Sequence, residues 1–216
     1  MEDELRGTVQ PYADGEKLRR RMSGILSREL PRRGAGEEGS TALRFLGGAT
    51  HQGWVWRFDT VQTLASRVYA LHDSYGLAAR LLTQALSAAR GAGFDVIACP
   101  SPERPAELQH LFIPRLSLAF VTVNERVPYK DKAYRHIRLD AAVEDAVPRG
   151  ERARLRFLRR LSRSVEQEAF SALREAKSAH DALEKLYHPL MDFDGVAQLA
   201  KEEGARLCEL AARQKE

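Results

Sequence analysis

Residues 67–90 read RVYALHDSYGLAARLLTQALSAAR, and this segment carries the clearest fold signal in the chain. Its opening, Arg67–Leu71, is a short apolar run of the kind that forms a buried strand. A polar turn, His72–Gly76, follows, and the apolar spacing from Leu77 to about Arg90 predicts a helix. A strand, a glycine-containing turn and a helix in this order are typical of an α/β domain.

Two further apolar runs extend this domain. Phe94–Cys99 (FDVIAC) and Leu116–Val123 (LSLAFVTV) are predicted to be strands, and the second is almost continuously apolar, as in a strand buried on both faces of a parallel sheet. Upstream, Trp54, Trp56 and Phe58 alternate with other residues, so we expect the three aromatic rings to share one face and to pack in the core or an interface. We expect Cys99 to be a small buried apolar residue.

The N-terminal region has a different composition. Glu16–Leu30 has a helical apolar spacing, and Pro31 ends it. Pro31–Ser40 is rich in glycine, proline and charge and lacks a large apolar residue, which is typical of a linker. The predicted organisation is an N-terminal helix and linker (1–40), an α/β domain (41–147) and a helical hairpin arm (148–216).

The arm is predicted from a long heptad-like pattern. After Pro148, apolar residues recur at steps of three or four over more than four heptads, which predicts a coiled-coil-like helix with an alanine-rich seam. A shorter helix is expected to fold back after Pro189, with Tyr187, Met191 and Phe193 as core residues at the turn. Such a seam favours self-association or docking of a protein partner.

Composition and charge restrict the class of protein. The 216 residues include 34 basic and 30 acidic side chains and only two cysteines, which excludes a disulfide-stapled scaffold and favours a reduced, cytoplasmic protein. No apolar run approaches the roughly 18 to 20 residues that span a bilayer, so no membrane association is expected.

The positive charge is concentrated in one block. Seven arginines face one glutamate between Arg149 and Arg163, so the rest of the chain is slightly acidic. The block would meet nucleic-acid phosphates or pair with acidic residues of the arm or of another subunit. The arginines considered for nucleic acid are Arg152, Arg156, Arg159, Arg160 and Arg163.

Several segments together resemble a known family. They are RFLGGATHQGWVWRFDTV (44–61), GFDVIACPSPERPAELQHLFIPRLSLAFVTVN (93–124) and AKSAHDALEKLYHPLMDFDGVAQL (176–199). In this order along the chain, they resemble one half, of the C-terminal type, of an uncharacterised bacterial family of tandem P-loop ATPase-like proteins. The resemblance implies a P-loop NTPase-like parallel sheet with flanking helices, followed by the hairpin.

The turn after the first strand departs from a working P-loop. That loop needs Gly-x-x-x-x-Gly-Lys-Ser/Thr, whose backbone N–H groups and lysine bind phosphate and whose hydroxyl holds Mg²⁺. Here Ala78 stands where the lysine belongs and Ala79 where the hydroxyl belongs, and Thr122 replaces the expected acid. Asp73 would bring a carboxylate close to the phosphate position, where it repels phosphate in the absence of a metal.

The departures favour a non-catalytic module that acts through binding or assembly. An ATP-binding ATPase or nucleotide kinase with an unorthodox loop and Mg²⁺ is the alternative, and nucleic-acid binding through the arginine block is a second one. The residues that would line a nucleotide site are His72, Asp73, Ser74, Tyr75, Gly76, Arg80 and Thr122.

One further cluster has metal-ligand spacing. His180, Glu184 and His188 follow one another at intervals of four residues and would line one helix face. A solvated helix face explains the same pattern, so no metal is assigned there.

Overall fold

A computed structural model describes residues 2–31, 37–144 and 146–213. The protein is α/β, with a six-stranded mixed sheet, a separate two-stranded hairpin and a long C-terminal helix. Half of the linker expected at Pro31–Ser40, residues 32–36, lies outside the described residues. No helix within the described part of the chain combines the length and the apolar character needed to cross a membrane.

The strands and helices follow one another along the chain in a fixed order. The strands are β1 (Thr41–Leu43), β2 (Gly47–Thr50), β3 (Gly53–Trp56), β4 (Arg67–His72), β5 (Val96–Pro100), β6 (Leu108–Ile113), β7 (Leu118–Val123) and β8 (Arg135–Arg138). The helices are α1 (Glu2–Val9), α2 (Gly15–Glu29), α3 (Asp59–Leu64), α4 (Ala78–Gly91), α5 (Ala141–Glu144), α6 (Arg149–Tyr187) and α7 (Phe193–Arg213).

The sheet is mixed, which corrects the expectation of a parallel sheet. Its strand order is β1-β5-β6-β7-β4-β8, and β2 pairs with β3 in the separate hairpin. Strands β4, β7 and β8 are parallel, as are β1 and β5, whereas β6 is antiparallel to both of its neighbours. The chain turns directly from β6 into β7 through the segment Pro114–Ser117, which is too short for a crossover to a parallel neighbour.

Apolar side chains cover both faces of this sheet, which explains the continuous apolar runs of its central strands. On one face, α2 and α4 pack against residues that include Tyr69, Leu71 and Phe120. On the other face, α3 and neighbouring loops pack against residues that include Val68 and Val121. The strands predicted at Arg67–Leu71 and Leu116–Val123 correspond to β4 and β7, and both are buried interior strands of the sheet.

The chain divides into two compact units, 1–171 and 172–216. Helix α2 belongs to the first unit because its apolar face lies in the main core, and Tyr69 donates a 2.5 Å hydrogen bond to its Glu29 carboxylate. A third apolar cluster joins α1 and α5 to the beginning of α6, through residues such as Leu5 and Leu155. The first unit therefore contains α1, α2 and the beginning of α6 together with the sheet.

The second unit contains the end of α6 and all of α7, joined by a short 3₁₀ turn at His188–Leu190. Both helices were expected from the sequence. The expectation that Tyr187, Met191 and Phe193 form a core at the turn is wrong, since these side chains are 57%, 51% and 47% exposed. No residue from 172 to 213 is buried, so the two helices do not bury their apolar faces against each other.

A buried histidine makes the stability of the fold sensitive to pH. His110 of β6 is fully buried, its Nδ1 accepts the N–H of Thr122 at 3.3 Å, and burial lowers the pKa of its imidazole to about 3. An unfolded histidine takes up a proton below about pH 6.5, whereas the folded one stays neutral until about pH 3. This group therefore favours unfolding increasingly as the pH falls from about 6.5 towards 3.

We predict that His110→Leu flattens the pH dependence of stability. Between pH 7 and pH 5, His110 accounts for a loss of about 2 kcal/mol in the free energy of unfolding. Urea unfolding at several pH values measures this slope, with His51→Leu, in the turn between β2 and β3, as the control. Part of the slope remains in the variant because burial also lowers the pKa of His72. An unchanged slope in His110→Leu would contradict the prediction.

Candidate functional site

A cavity of about 320 Å³ lies at the edge of the sheet where β4, β5 and β7 end. Its floor is made by the loops that follow these strands, namely 73–76, 101–103 and 124–127, and open α/β sheets bind ligands at this edge. Side chains of α1, β3 and the first part of α6 form the walls.

The loop after β4 is organised around the carboxylate of Asp73. This side chain is 3% exposed, and its Oδ1 accepts the backbone N–H groups of Tyr75 and Leu77, both at 3.0 Å. Its Oδ2 accepts the N–H of Ala78, the first residue of α4, at 2.8 Å. Burial raises the pKa of the Asp73 carboxyl, and the three backbone hydrogen bonds oppose that rise.

Asp73 thus occupies the position that an anion takes at a helix N-terminus. Backbone N–H groups of a loop and of the first helical turn are the donors that cradle phosphate in nucleotide-binding loops. Here the donors of Tyr75, Leu77 and Ala78 point at a carboxylate of the same loop. The loop satisfies its own donors, so an external phosphate would have to displace a buried side chain.

The next residues of the loop are tied to neighbouring elements. Ser74 donates through its N–H and its hydroxyl to the carboxylate of Asp140, at 2.8 and 2.7 Å. Gly76 has a φ of +76°, and a side chain at this position would collide with the guanidinium of Arg6 from α1. The Arg6 side chain can move aside, so it is the positive φ that favours glycine at this position.

Three other candidate residues lie around the loop. His72 ends β4, and its Nε2 lies 2.9 Å from Nδ1 of His136 on β8. Burial, followed by the charge of His136, lowers the pKa of His72. Thr122 of β7 lines the cavity, but its hydroxyl donates to the carbonyl of Gln109 at 2.6 Å. Arg80 is exposed on α4 and does not line the cavity.

An arginine that sequence reasoning missed connects the cavity walls. Arg126, in the loop after β7, forms ion pairs with Glu166 of α6 at 2.7 Å and with Glu103 at 3.3 Å. The same guanidinium donates to the hydroxyl of Ser162 at 2.7 Å, and Trp56 Nε1 donates to the Arg126 carbonyl at 2.6 Å. The partners are 23 to 70 residues away in sequence, so no local pattern marks them.

Two further arginines of the cavity also have carboxylate partners. Arg6 of α1 pairs with Glu107, and Arg163 of α6 pairs with Glu125. Arg159 differs from them, since its guanidinium lies 4.8 Å from the centre of the Tyr75 ring. Among the described residues, no carboxylate lies within ion-pair distance of Arg159.

The aromatic residues share a face, as the alternation predicted. Trp54 and Trp56 are stacked with ring centres 5.8 Å apart, and Phe58 stacks on Trp56 at 5.9 Å. Trp54 Nε1 donates to the Glu166 carboxylate at 2.8 Å, and Phe170 meets the Trp54 ring edge to face. Both tryptophans line the cavity. Their Nε1–H groups are hydrogen-bonded, and their rings supply apolar surface.

The remaining candidates of the sequence do not join this site. Cys99 is buried, as expected, and burial raises the pKa of its thiol to about 12, so it is not a thiolate nucleophile. On α6, the potential ligand atoms of His180, Asp181 and Glu184 lie within 4.8 Å of one another. His188 is instead packed against the Phe193 ring, and Asp181 is paired with a lysine, so no metal is assigned.

Comparison of the chain with protein-family models, with curated proteins and with solved structures gives no match.

We predict that Asp73→Ala destabilises the protein by about 2 to 3 kcal/mol, because three backbone N–H groups of a buried loop lose their acceptor. Asp73→Asn should lose less, since the amide oxygen still accepts. Ser74→Ala is the control, because it removes one exposed hydroxyl and its hydrogen bond to Asp140 and should cost about 1 kcal/mol or less. Urea unfolding measures all three, and an Asp73→Ala variant as stable as the wild type would contradict the prediction.

Proposed function

We propose that the protein is a non-catalytic P-loop NTPase-like module that acts through binding or assembly. The observation that carries the proposal is the Asp73 carboxylate, which accepts the N–H groups of Tyr75, Leu77 and Ala78. In a nucleotide-binding loop, these groups are needed by phosphate. The α/β fold and the position of the loop after a central strand agree with a P-loop-like ancestry.

The charges of the cavity support the same proposal. Phosphoryl transfer depends on positioned cations that neutralise phosphate. Four arginines line the cavity together with five carboxylates, and none of its described lining residues is a lysine. Ion pairs with Glu107, Glu166 and Glu125 engage three of those arginines. A phosphate chain would therefore meet an excess of negative charge.

The alternative of an ATPase or kinase with an unorthodox loop needs substitutes for the missing groups. Arg80 is the nearest cation on α4, but it is exposed and outside the cavity. The hydroxyls of Ser74 and Thr122 already donate to Asp140 and to the Gln109 carbonyl. Each substitute would require a rearrangement of existing hydrogen bonds, which weighs against this alternative.

Nucleic-acid binding through the arginine block is supported less well than assembly. Arg163 pairs with Glu125, Arg159 lies over Tyr75 and Arg152 donates to the Val147 carbonyl at 2.9 Å. Of the five arginines considered, Arg156 and Arg160 are exposed without such a contact among the described residues. Arg156 and Arg160 lie one helical turn apart on α6, but two arginines supply only a small part of the continuous positive surface that tracks a phosphate backbone.

We predict that the full-length protein shows no saturable micromolar binding of ATP, with or without Mg²⁺. Equilibrium dialysis with labelled ATP measures this directly. Asp73→Ala is the matched variant: its freed N–H donors should bind inorganic phosphate, seen as a phosphate-dependent rise in Tm that exceeds the rise in the wild type.

A different result would exclude the proposal. Low-micromolar, magnesium-dependent binding of ATP by the wild type, reduced by substitution of Arg80 or Asp73, would mean that the loop opens for nucleotide. Ser74→Ala serves as the control in the phosphate assay, since it leaves the Asp73 carboxylate on its three donors.

A further inference from the structure

The second unit carries extensive exposed apolar surface on its described residues, 172–213. Every residue from 172 to 213 is exposed or only partly buried. The large apolar side chains of this segment are between 41% and 82% exposed. They are Leu173, Leu183, Leu186, Tyr187, Leu190, Met191, Phe193, Val196, Leu199, Leu207 and Leu210.

These side chains follow helical spacing on both helices. Leu183 and Leu186 on α6, and Leu190 in the 3₁₀ turn that follows, continue the steps of three and four that begin with alanines further upstream. On α7, Val196, Leu199 and the leucines at 207 and 210 form the corresponding stripe. Each helix therefore has one apolar face, and neither face is covered by the other helix.

The size of the surface is that of a stable interface. Eleven large side chains at roughly half exposure present on the order of 1,000 Å² of surface. A standard stable interface buries about 800 Å² on each partner, so this surface is large enough to form one.

We propose that the same surface of a second copy of this chain covers it, so that α6 and α7 of both copies form a four-helix bundle. This inference rests on the proposed role in assembly and names the partner. Residues 172–213 contain eight acidic and six basic side chains, a net charge of −2, so a mixed-charge copy approaches without strong repulsion. The alanines at 172, 176 and 179 leave room for a second helix to approach closely.

Sedimentation velocity of the full-length protein over a range of concentrations tests the proposal. We expect dimers of the wild type and an at least tenfold weaker association of the double variant Leu199→Glu, Leu207→Glu. Leu43→Glu is the matched control, because Leu43 is 62% exposed on β1, compared with 60% and 64% for Leu199 and Leu207. The control should dimerise like the wild type, and circular dichroism verifies that every variant is folded.

The two cysteines provide a second measurement that needs no apolar substitution. Cys208 on α7 is exposed and Cys99 is buried, so thiol reagents label the folded protein at Cys208. Donor-labelled and acceptor-labelled copies should show energy transfer when they are mixed, and excess unlabelled protein should abolish it.

A wild type that is monomeric at all concentrations, whether its apolar faces stay open or close on each other, would overturn the inference. A dimer that the double variant leaves intact would also overturn it. Neither sedimentation nor energy transfer involves nucleotide. A monomeric wild type would therefore overturn the dimer proposal without affecting the proposal that Asp73 occupies the phosphate donors. Binding of ATP would overturn the latter without affecting the dimer.

Discussion

The hydrogen bonds of the Asp73 carboxylate hold together the part of the fold on which the candidate site depends. A buried carboxylate is tolerated only when donors replace water, and here the donors are the backbone of its own loop and of the first turn of α4. The main chain of Asp73 is fixed as well. Its N–H donates to Val123, and its carbonyl accepts from the Asn124 side chain at 3.1 Å. One residue thus links the end of β4, the start of α4 and the end of β7.

At the sheet edge, the polar groups of this loop already have hydrogen-bond partners within the chain. The donors that fix the loop are the same ones that a phosphate requires, and the carboxylate on them is covalently part of the chain, so it is present at a high effective concentration. The guanidinium groups of Arg6, Arg126 and Arg163 are likewise directed at carboxylates of the chain. The polar groups of the cavity therefore work as structural connections between α1, α6 and the loops of the sheet.

The elements that could be predicted from the sequence are those with a strong local pattern. The strand at 67–72, the helix after it and the long helix from Arg149 follow from apolar spacing alone. The edge strands β1 and β8 are short and mostly exposed, so they carry almost no apolar signal. Strand β6 lies in a proline-containing segment, and its antiparallel direction follows from the short connection to β7.

Only those parts of the candidate site that are formed by residues close together in sequence could be predicted. The loop residues from His72 to Gly76 lie next to a strand and a helix with strong patterns, so their position at the sheet edge follows from the sequence. The role of Asp73 does not follow from the sequence, because a carboxylate beside a phosphate position is expected to repel phosphate. Its three backbone partners depend on the conformation of the turn. Arg126 and Glu166 meet across the fold, and no spacing in the sequence encodes that contact.

The two units differ in how far their apolar side chains are buried and their charges are paired. The first unit buries its apolar strands on both faces and pairs most charges of its cavity internally. Residues 172–213 bury nothing, although helices in proteins owe most of their stability to packing of an apolar face. Their alanine, leucine, glutamate and lysine content gives helix propensity, but propensity does not require leucines on one face. An apolar face of this size acquires its stabilising effect only in contact with another surface, so the folded state of residues 172–213 gains little from apolar burial among the described residues.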